Sequence, residues 1–291
     1  MPTSRILIPR AAPAYWMLVP AVSFTVLLIG IPFLYTIYLS FHQFTFGRQP
    51  VFNAGRDYLL MIRDRLFWNG FWITLELFLL SLVLQMVCGL YLGLLLNRTV
   101  RGRGVLRTIL ISPFVMPSVV VGMMWLVILD PSLGAANYVL QCLGLPPSNW
   151  LASPWMVVPT IALIDTWQWT PFVALIVLGG LQVLPIEPYE AAAIDGARPW
   201  QTFWYLTVPL LRPSLLTAAT LRSVDLLRFF DTIYITTQGG PSNASTTLNI
   251  YAFRIGFEFF DIGYASALMI TLLAIVLGAV LAFARLRRRL L

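Results

Sequence analysis

Six stretches of this chain are apolar for about as long as a helix needs to cross a lipid bilayer, and no other feature limits the fold so severely. At about 1.5 Å of rise per residue, about 20 apolar residues span a hydrocarbon core of about 30 Å. The runs cover about residues 14–40, 71–96, 105–129, 155–182, 213–235 and 263–284. Within lipid each backbone N–H and C=O must find its partner inside the segment, so runs of this length are helical. The expected fold is all-α: a polytopic membrane protein of six transmembrane helices, forming one domain over residues 1–291. Only 11% of the residues are charged, against about 25% in soluble globular chains.

Arginine sets the orientation. All 19 basic residues are arginine. With six spans and the N-terminus inside, twelve of them face the cytoplasm: Arg5, Arg10, Arg98, Arg101, Arg103, Arg107, Arg198, Arg212, Arg285, Arg287, Arg288 and Arg289. Five face outward: Arg48, Arg56, Arg63, Arg65 and Arg254. Excess positive charge belongs on the cytoplasmic side, whereas a five-span chain would leave the tail RLRRR outside. Both termini are therefore expected in the cytoplasm. Arg5 and Arg10 before the first run suggest a signal peptide, but that run is too long for one and no A-x-A site closes it, so it reads as an uncleaved span.

Several classes of chemistry lack their residues. With no lysine there is no Walker A or Schiff-base lysine. His42 is the single histidine, which leaves little for a triad or a multi-histidine metal site. Cys88 and Cys142 read as two free thiols. No catalytic residue and no metal site are expected. The net charge of +7 fits anionic lipid headgroups better than nucleic acid, because the arginines sit beside apolar runs.

Pro20, Pro32, Pro113, Pro117, Pro159 and Pro171 punctuate the spans. They kink helices whose freed carbonyls neighbours can satisfy, and such kinks either only bend the bundle or open a central cavity. Gly89 and Gly93 have the small-xxx-small spacing of close helix packing. The loops 41–70 and 130–154 fall outside.

The loop 183–212 falls inside and reads LPIEPYEAAAIDGARPWQTFWYLTVP over most of its length. Pro188 suits the first turn of a helix, with Glu187 and Glu190 at its positive end. Ala191, Ala192 and Ala193 favour the helix, and Gly196 ends it. Pro199 starts a second helix, PWQTFWYL, which Pro209 is expected to end. Two short helices meeting at a sharp turn would present a small-residue surface with one acid, next to the large anchors Trp200, Phe203 and Trp204. The same residues also suit an interfacial helix lying on lipid.

Ionisable groups inside spans are costly and mark function by default. Arg222, Asp225 and Arg228 follow one another at i, i+3, i+6. Asp165, Trp167, Gln168 and Trp169 sit in DTWQWTPF on the fourth span, and both sets fall near the midplane. A structural ion pair and a substrate-contacting surface are both open readings. In the second, Gln168, Asp165 and Arg222 would meet hydroxyls and Trp167 would cover the apolar face.

The pattern E-A-A-x-x-x-G-x9-I-x-L-P resembles the signature of permease subunits of binding-protein-dependent ABC importers. Here it reads Glu190, Ala191, Ala192 and Gly196, then nine residues, then Leu206, Val208 and Pro209, departing only at two aliphatic positions. GLYLGLLLNRTVRGRGVLRTILISPFVMPSVVVGMMW and TTQGGPSNAST followed by FFDIGYASALM are similar to segments of sugar-importer permeases of the maltose and glycerol-phosphate type. The resemblance implies a type I ABC importer permease fold whose cytoplasmic coupling helix docks on an ATPase. Glu190, Ala191, Ala192, Gly196, Arg198, Trp200 and Pro209 would make up the dock. It also implies a second permease of the maltose G type, two copies of a cytoplasmic ATPase holding ATP and Mg, and an external or lipid-anchored solute-binding protein. This chain would bind no cofactor itself and would lie in the plasma (inner) membrane of a bacterium or archaeon. The rivals are an ABC permease for an amino acid, a peptide or phosphate, an ion-driven secondary transporter using Asp165 or Asp225, and a structural scaffold.

Overall fold

A computed structural model describes residues 12–97 and 103–290; Arg5, Arg10, Arg98 and Arg101 lie outside the described residues. The first apolar run forms α1 (Ala12–Thr25) and α2 (Ile31–Leu39), joined by a π-turn at Val26–Gly30. A short hairpin of two-residue strands, β1 (His42–Gln43) with β2 (Val51–Phe52), leads to the amphipathic α3 (Arg56–Arg63). Next come α4 (Arg65–Asn97), α5 (Arg103–Val115), α6 (Ser118–Ile128), α7 (Ala135–Cys142) and α8 (Val157–Gln182). The short α9 (Glu187–Ile194) and α10 (Pro199–Thr202) precede α11 (Val208–Leu227). Then α12 (Asp231–Thr236) and α13 (Leu248–Phe253) lead to the last span, α14 (Ile262–Leu290).

Two of the six expected spans are not single helices. The run 105–129 is split into α5 and α6, which meet at 102°. Pro117 is the cause: its ring pushes the preceding residue out of the helical region, and Pro117 itself is extended at ψ 138°. The run 213–235 is shifted and interrupted. Its helix begins at Val208, ends at Leu227, and resumes as α12 after Arg228, Phe229 and Phe230. The Asn249 side chain donates to the freed Arg228 carbonyl at 2.8 Å, which satisfies the broken end. By length and apolar composition alone, four helices qualify as spans among the described residues, and five if the bent α5–α6 pair counts as one. Charge on α11 removes the sixth from that test.

Pro209 does not end the second loop helix as expected. Helix α10 runs through a π-turn at Phe203–Thr207 directly into α11. In this turn the Val208 N–H bonds to the Phe203 carbonyl, and Pro209 follows at once. The same sequence of events occurs at Ile31, whose N–H bonds to Val26 just before Pro32. A proline ring clashes with the carbonyl four residues back and brings no donor. Widening the turn by one residue moves that carbonyl aside and lets the helix continue.

The centre of the bundle is the seam between α4 and α8. Gly89 and Gly93 face Val173, Ala174 and Val177. A Cβ on Gly93 would lie 2.7 Å from the Val177 side chain and 3.1 Å from the Ala174 carbonyl. The small residues therefore serve close packing, which in lipid replaces the hydrophobic drive. Helix α11 packs on the same pair through Leu211 and Ala218, both fully buried with Val173 and Val177.

At the opposite end, Asp64 ties α4 to α13 and α14. It accepts hydrogen bonds from the hydroxyls of Tyr251 and Tyr264 and, at 2.8 Å, from the Leu66 N–H. Burial alone would raise its pKa, but the two tyrosines and the Leu66 and Phe67 amides together bring it below the usual carboxylate value.

Gly93→Val is expected to overpack the seam and cost about 1–3 kcal/mol, whereas Gly179→Ala, with nothing within 4 Å of the added carbon, is expected to be neutral; thermal unfolding in detergent compares the two. The Asp64 contribution is complete at neutral pH, because the folded pKa lies below the unfolded one. It is lost as the pH falls below about 4. Asp64→Asn is expected to flatten that acid limb of the stability–pH curve, and an unchanged limb would assign it to other groups.

Candidate functional site

Three helices bring one buried guanidinium and its partners together. Arg222 on α11 is 1% exposed, and so is Asp165 on α8. The Arg222 Nη2 donates to Asp165 Oδ2 at 3.1 Å, and its Nε donates to Gln85 Oε1 on α4 at 2.8 Å. Gln85 in turn donates through Nε2 to the same Asp165 oxygen. The Arg222 Nη1 reaches Asp225 at 3.4 Å, and Arg228 meets the other Asp225 oxygen at 3.6 Å. The guanidinium lies over the Trp169 ring, 4.2 Å from its centroid. Cation–π contact in a desolvated site is worth about 2 kcal/mol. A buried charge survives only when paired and hydrogen-bonded on this scale.

The helical spacing explains the assembly. Arg222 and Asp225 fall on adjoining turns of α11 and Arg228 caps its end, so the acid sits between two arginines. Asp165 and Trp169 are one turn apart on α8 and therefore share a face. Together with Ser118, Phe229, Phe230 and Asp231, these residues line a cavity of about 330 Å³. The second Asp165 oxygen, Oδ1, has no hydrogen-bond partner among the described residues.

The other two residues of the α8 set point elsewhere. Gln168 is buried and donates to the Met116 carbonyl at 3.0 Å and to the Ser118 hydroxyl at 3.3 Å. It thereby holds the α5–α6 corner against α8. Trp167 packs edge-on against Trp125, with centroids 5.6 Å apart. Trp167 is not part of the cavity lining, and Trp169 takes the place expected of it. A 100° step per residue on a helix makes this unavoidable: two positions separated by two residues face nearly opposite ways. Sequence reasoning missed Gln85, although a glutamine inside an apolar run is the signal that marked the others.

A second candidate surface lies at the far end of α8. Helix α9 closes in a Schellman motif: the Ala197 N–H bonds to Ala192 at 2.9 Å and the Gly196 N–H to Ala193 at 3.2 Å. Gly196 adopts φ +72° with open space around it, so conformation and not packing requires glycine there. The Arg198 N–H donates to the Gln201 side chain at 2.8 Å and starts α10. The Tyr189 hydroxyl donates to Thr207 at 3.2 Å, which fixes the angle between α9 and the next helix. Glu190, Ala191, Arg198 and Trp200 are exposed on this elbow; Ala192 and Pro209 are half-buried. Ile194, Trp204 and Tyr205 add exposed apolar surface beside them.

A multi-pass bundle with a polar cluster at its centre and a capped helical elbow at one end defines a membrane transport component. Residues 85–290 match the family described as the binding-protein-dependent transport system inner membrane component, and the chain belongs to that family. Among its relatives, the trehalose/maltose transport system permease protein MalF of Thermococcus litoralis is 36% identical over 287 residues, covering 98% of this chain and 97% of the relative. The sulfoquinovosyl glycerol transport system permease protein SmoG of Agrobacterium fabrum is 32% identical, covering 94% and 90%. A chain of a bacterial alginate ABC transporter, solved in complex with a pentasaccharide-bound periplasmic protein, shares the fold at a TM-score of 0.84. It is 23% identical over 97% of this chain and 96% of that one.

Removing one member of a buried pair leaves an uncompensated charge, which costs about 3–5 kcal/mol. Arg222→Met is expected to fall in that range by thermal unfolding. The double variant Arg222→Met/Asp165→Leu is expected to recover a large part of the loss, and additive losses would show that the pair is not coupled.

Proposed function

We propose that this chain is the translocation subunit of an ATP-driven importer for a sugar, oligosaccharide, polyol or related glycoside delivered by an external solute-binding protein. The relatives named for trehalose/maltose and sulfoquinovosyl glycerol transport support the substrate class. The central cavity agrees with it in chemistry. Asp165, Asp225, Asp231 and Arg228 offer acceptors and a donor for hydroxyls, and Trp169, Phe229 and Phe230 offer flat apolar faces for a sugar ring.

One observation carries the coupling half of the proposal: the elbow and the cavity belong to one continuous helical rod. From Pro199 through the π-turn to Leu227 the helix is unbroken, a length of about 42 Å at 1.5 Å per residue. Its first turns carry Trp200, Trp204 and Tyr205, and its last turns carry Arg222 and Asp225. A cytoplasmic ATPase that grips α9 and α10 and moves on nucleotide binding displaces the polar cluster at the other end of the rod. Glu190 and the small surface of Ala191 and Ala192 supply a close approach and an acid for a partner arginine. In this scheme both termini are cytoplasmic and ATP and Mg are held by two ATPase copies. A second permease completes the pathway, and this chain has no catalytic role of its own.

Two experiments test the proposal in the reconstituted complex. Glu190→Lys is expected to leave insertion and assembly intact while ATP hydrolysis no longer drives uptake; normal coupling would remove the elbow from the docking role. Trp169→Ala is expected to lower uptake at least tenfold with assembly retained, as loss of about 1.4 kcal/mol or more at the pathway implies. Trp167→Ala is expected to transport normally, and the reverse pattern would displace the pathway from the Arg222 cavity.

A further inference from the structure

We propose that the cytoplasmic end of the α11–α14 groove is a binding site for one anionic phospholipid. The groove has a volume of about 540 Å³ and is lined by Thr217, Thr220 and Leu221 of α11 and by Val280, Ala284, Arg287 and Arg288 of α14. It takes no part in the central cavity, with which it shares no lining residue.

The order of chemistry along the groove is that of a lipid. Leu221, Val280 and Ala284 provide an apolar wall for an acyl chain. Arg287 and Arg288 close the end, both exposed and in no ion pair with a carboxylate among the described residues. Their depth matches a headgroup. Arg287 is 25 residues beyond the start of α14 at Ile262, or about 38 Å at 1.5 Å per residue, past a hydrocarbon core of about 30 Å.

The two threonines stay with the apolar part of the groove. Thr217 already donates to the Pro213 carbonyl at 2.8 Å, and Thr220 donates to Leu216 at 2.7 Å. With their protons used inside α11, they offer a phosphate no donor. The two guanidinium groups supply the donors that the phosphate needs. A phosphatidylglycerol-like lipid carries one net negative charge, at the phosphate, and matches those donors. A zwitterionic choline headgroup cancels the phosphate charge.

Charge complementarity also separates lipid from a protein occupant. A facing transmembrane helix would have to place acids at the headgroup level beside two arginines, where negative lipid charge is already concentrated on the cytoplasmic leaflet. The site would therefore fill from the bilayer as the complex assembles, and would fix α11 against α14.

The experiment uses the purified full complex, delipidated in detergent and offered dioleoyl phosphatidylglycerol and dioleoyl phosphatidylcholine in equal amounts, with bound lipid read by native mass spectrometry. The wild-type complex is expected to retain phosphatidylglycerol preferentially. Arg287→Gln and Arg288→Gln are each expected to lower that retention roughly fivefold, the effect of about one headgroup-level charge. Leu221→Trp, which fills the apolar part, is expected to lower retention with both arginines present. Equal retention of the two lipids, or unchanged retention in the double arginine variant, would overturn the proposal. So would a photo-crosslinker at Leu221→Cys that joins another protein chain and no lipid.

Discussion

A single guanidinium decides how this bundle is put together. Arg222 cannot face lipid and cannot sit in an apolar core unpaired, because the desolvation cost of a lone charge there is several kcal/mol. Its partners come from three helices that are far apart in the chain: Gln85 on α4, Asp165 and Trp169 on α8, and Asp225 on its own helix α11. Satisfying it fixes the rotation of each helix about its axis. The glycine seam between α4 and α8 then sets how closely those helices approach. Apolar packing alone, with lipid as the competing solvent, would leave the rotations weakly specified.

The interruptions of the spans follow from the same need. A straight α11 continuing through residue 235 would spread Phe229, Phe230 and Asp231 over successive faces of one helix. Instead the helix stops at Leu227, Asn249 takes up the freed carbonyl, and Phe229, Phe230 and Asp231 turn toward the cavity. The α5–α6 corner approaches the same cavity through Ser118 and is held by Gln168. Breaks in transmembrane helices are tolerated where neighbouring groups satisfy the backbone, and here those neighbours surround the proposed pathway. The π-turn before Pro209 has the opposite effect. It preserves a continuous rod between the elbow and the cavity.

Much of this was legible in the residues. The apolar runs located α4, α8 and α14 to within six residues at either end, since about 20 apolar residues leave little choice. Gly196 announced the end of α9, and the structure gives it the left-handed conformation that glycine adopts freely. Gly89 and Gly93 announced a close contact, and its partner is α8. Other features were not legible. Pro117 and Pro209 look alike in the sequence, yet one separates two helices that meet at 102° and the other lies within a helix that continues. The difference lies in whether a widened turn can re-pair the backbone, and that depends on what the flanking helices allow. Trp167 and Trp169 were indistinguishable until the rotation of α8 was known.

The sequence by itself determined that the chain is a helical membrane bundle, which of its apolar runs hold charge, and that a capped elbow interrupts it between the fourth and fifth runs. These are properties of segment length, solvation and local backbone preference, all of which act within a few residues. Only the tertiary structure decided which charges meet, which tryptophan stacks on Arg222, that Gln85 belongs to the cluster, and where helices break. Those outcomes depend on helix rotation and on contacts between positions as distant as Gln85 and Arg222. Many pairings of buried polar groups are compatible with one hydropathy pattern, and packing selects among them.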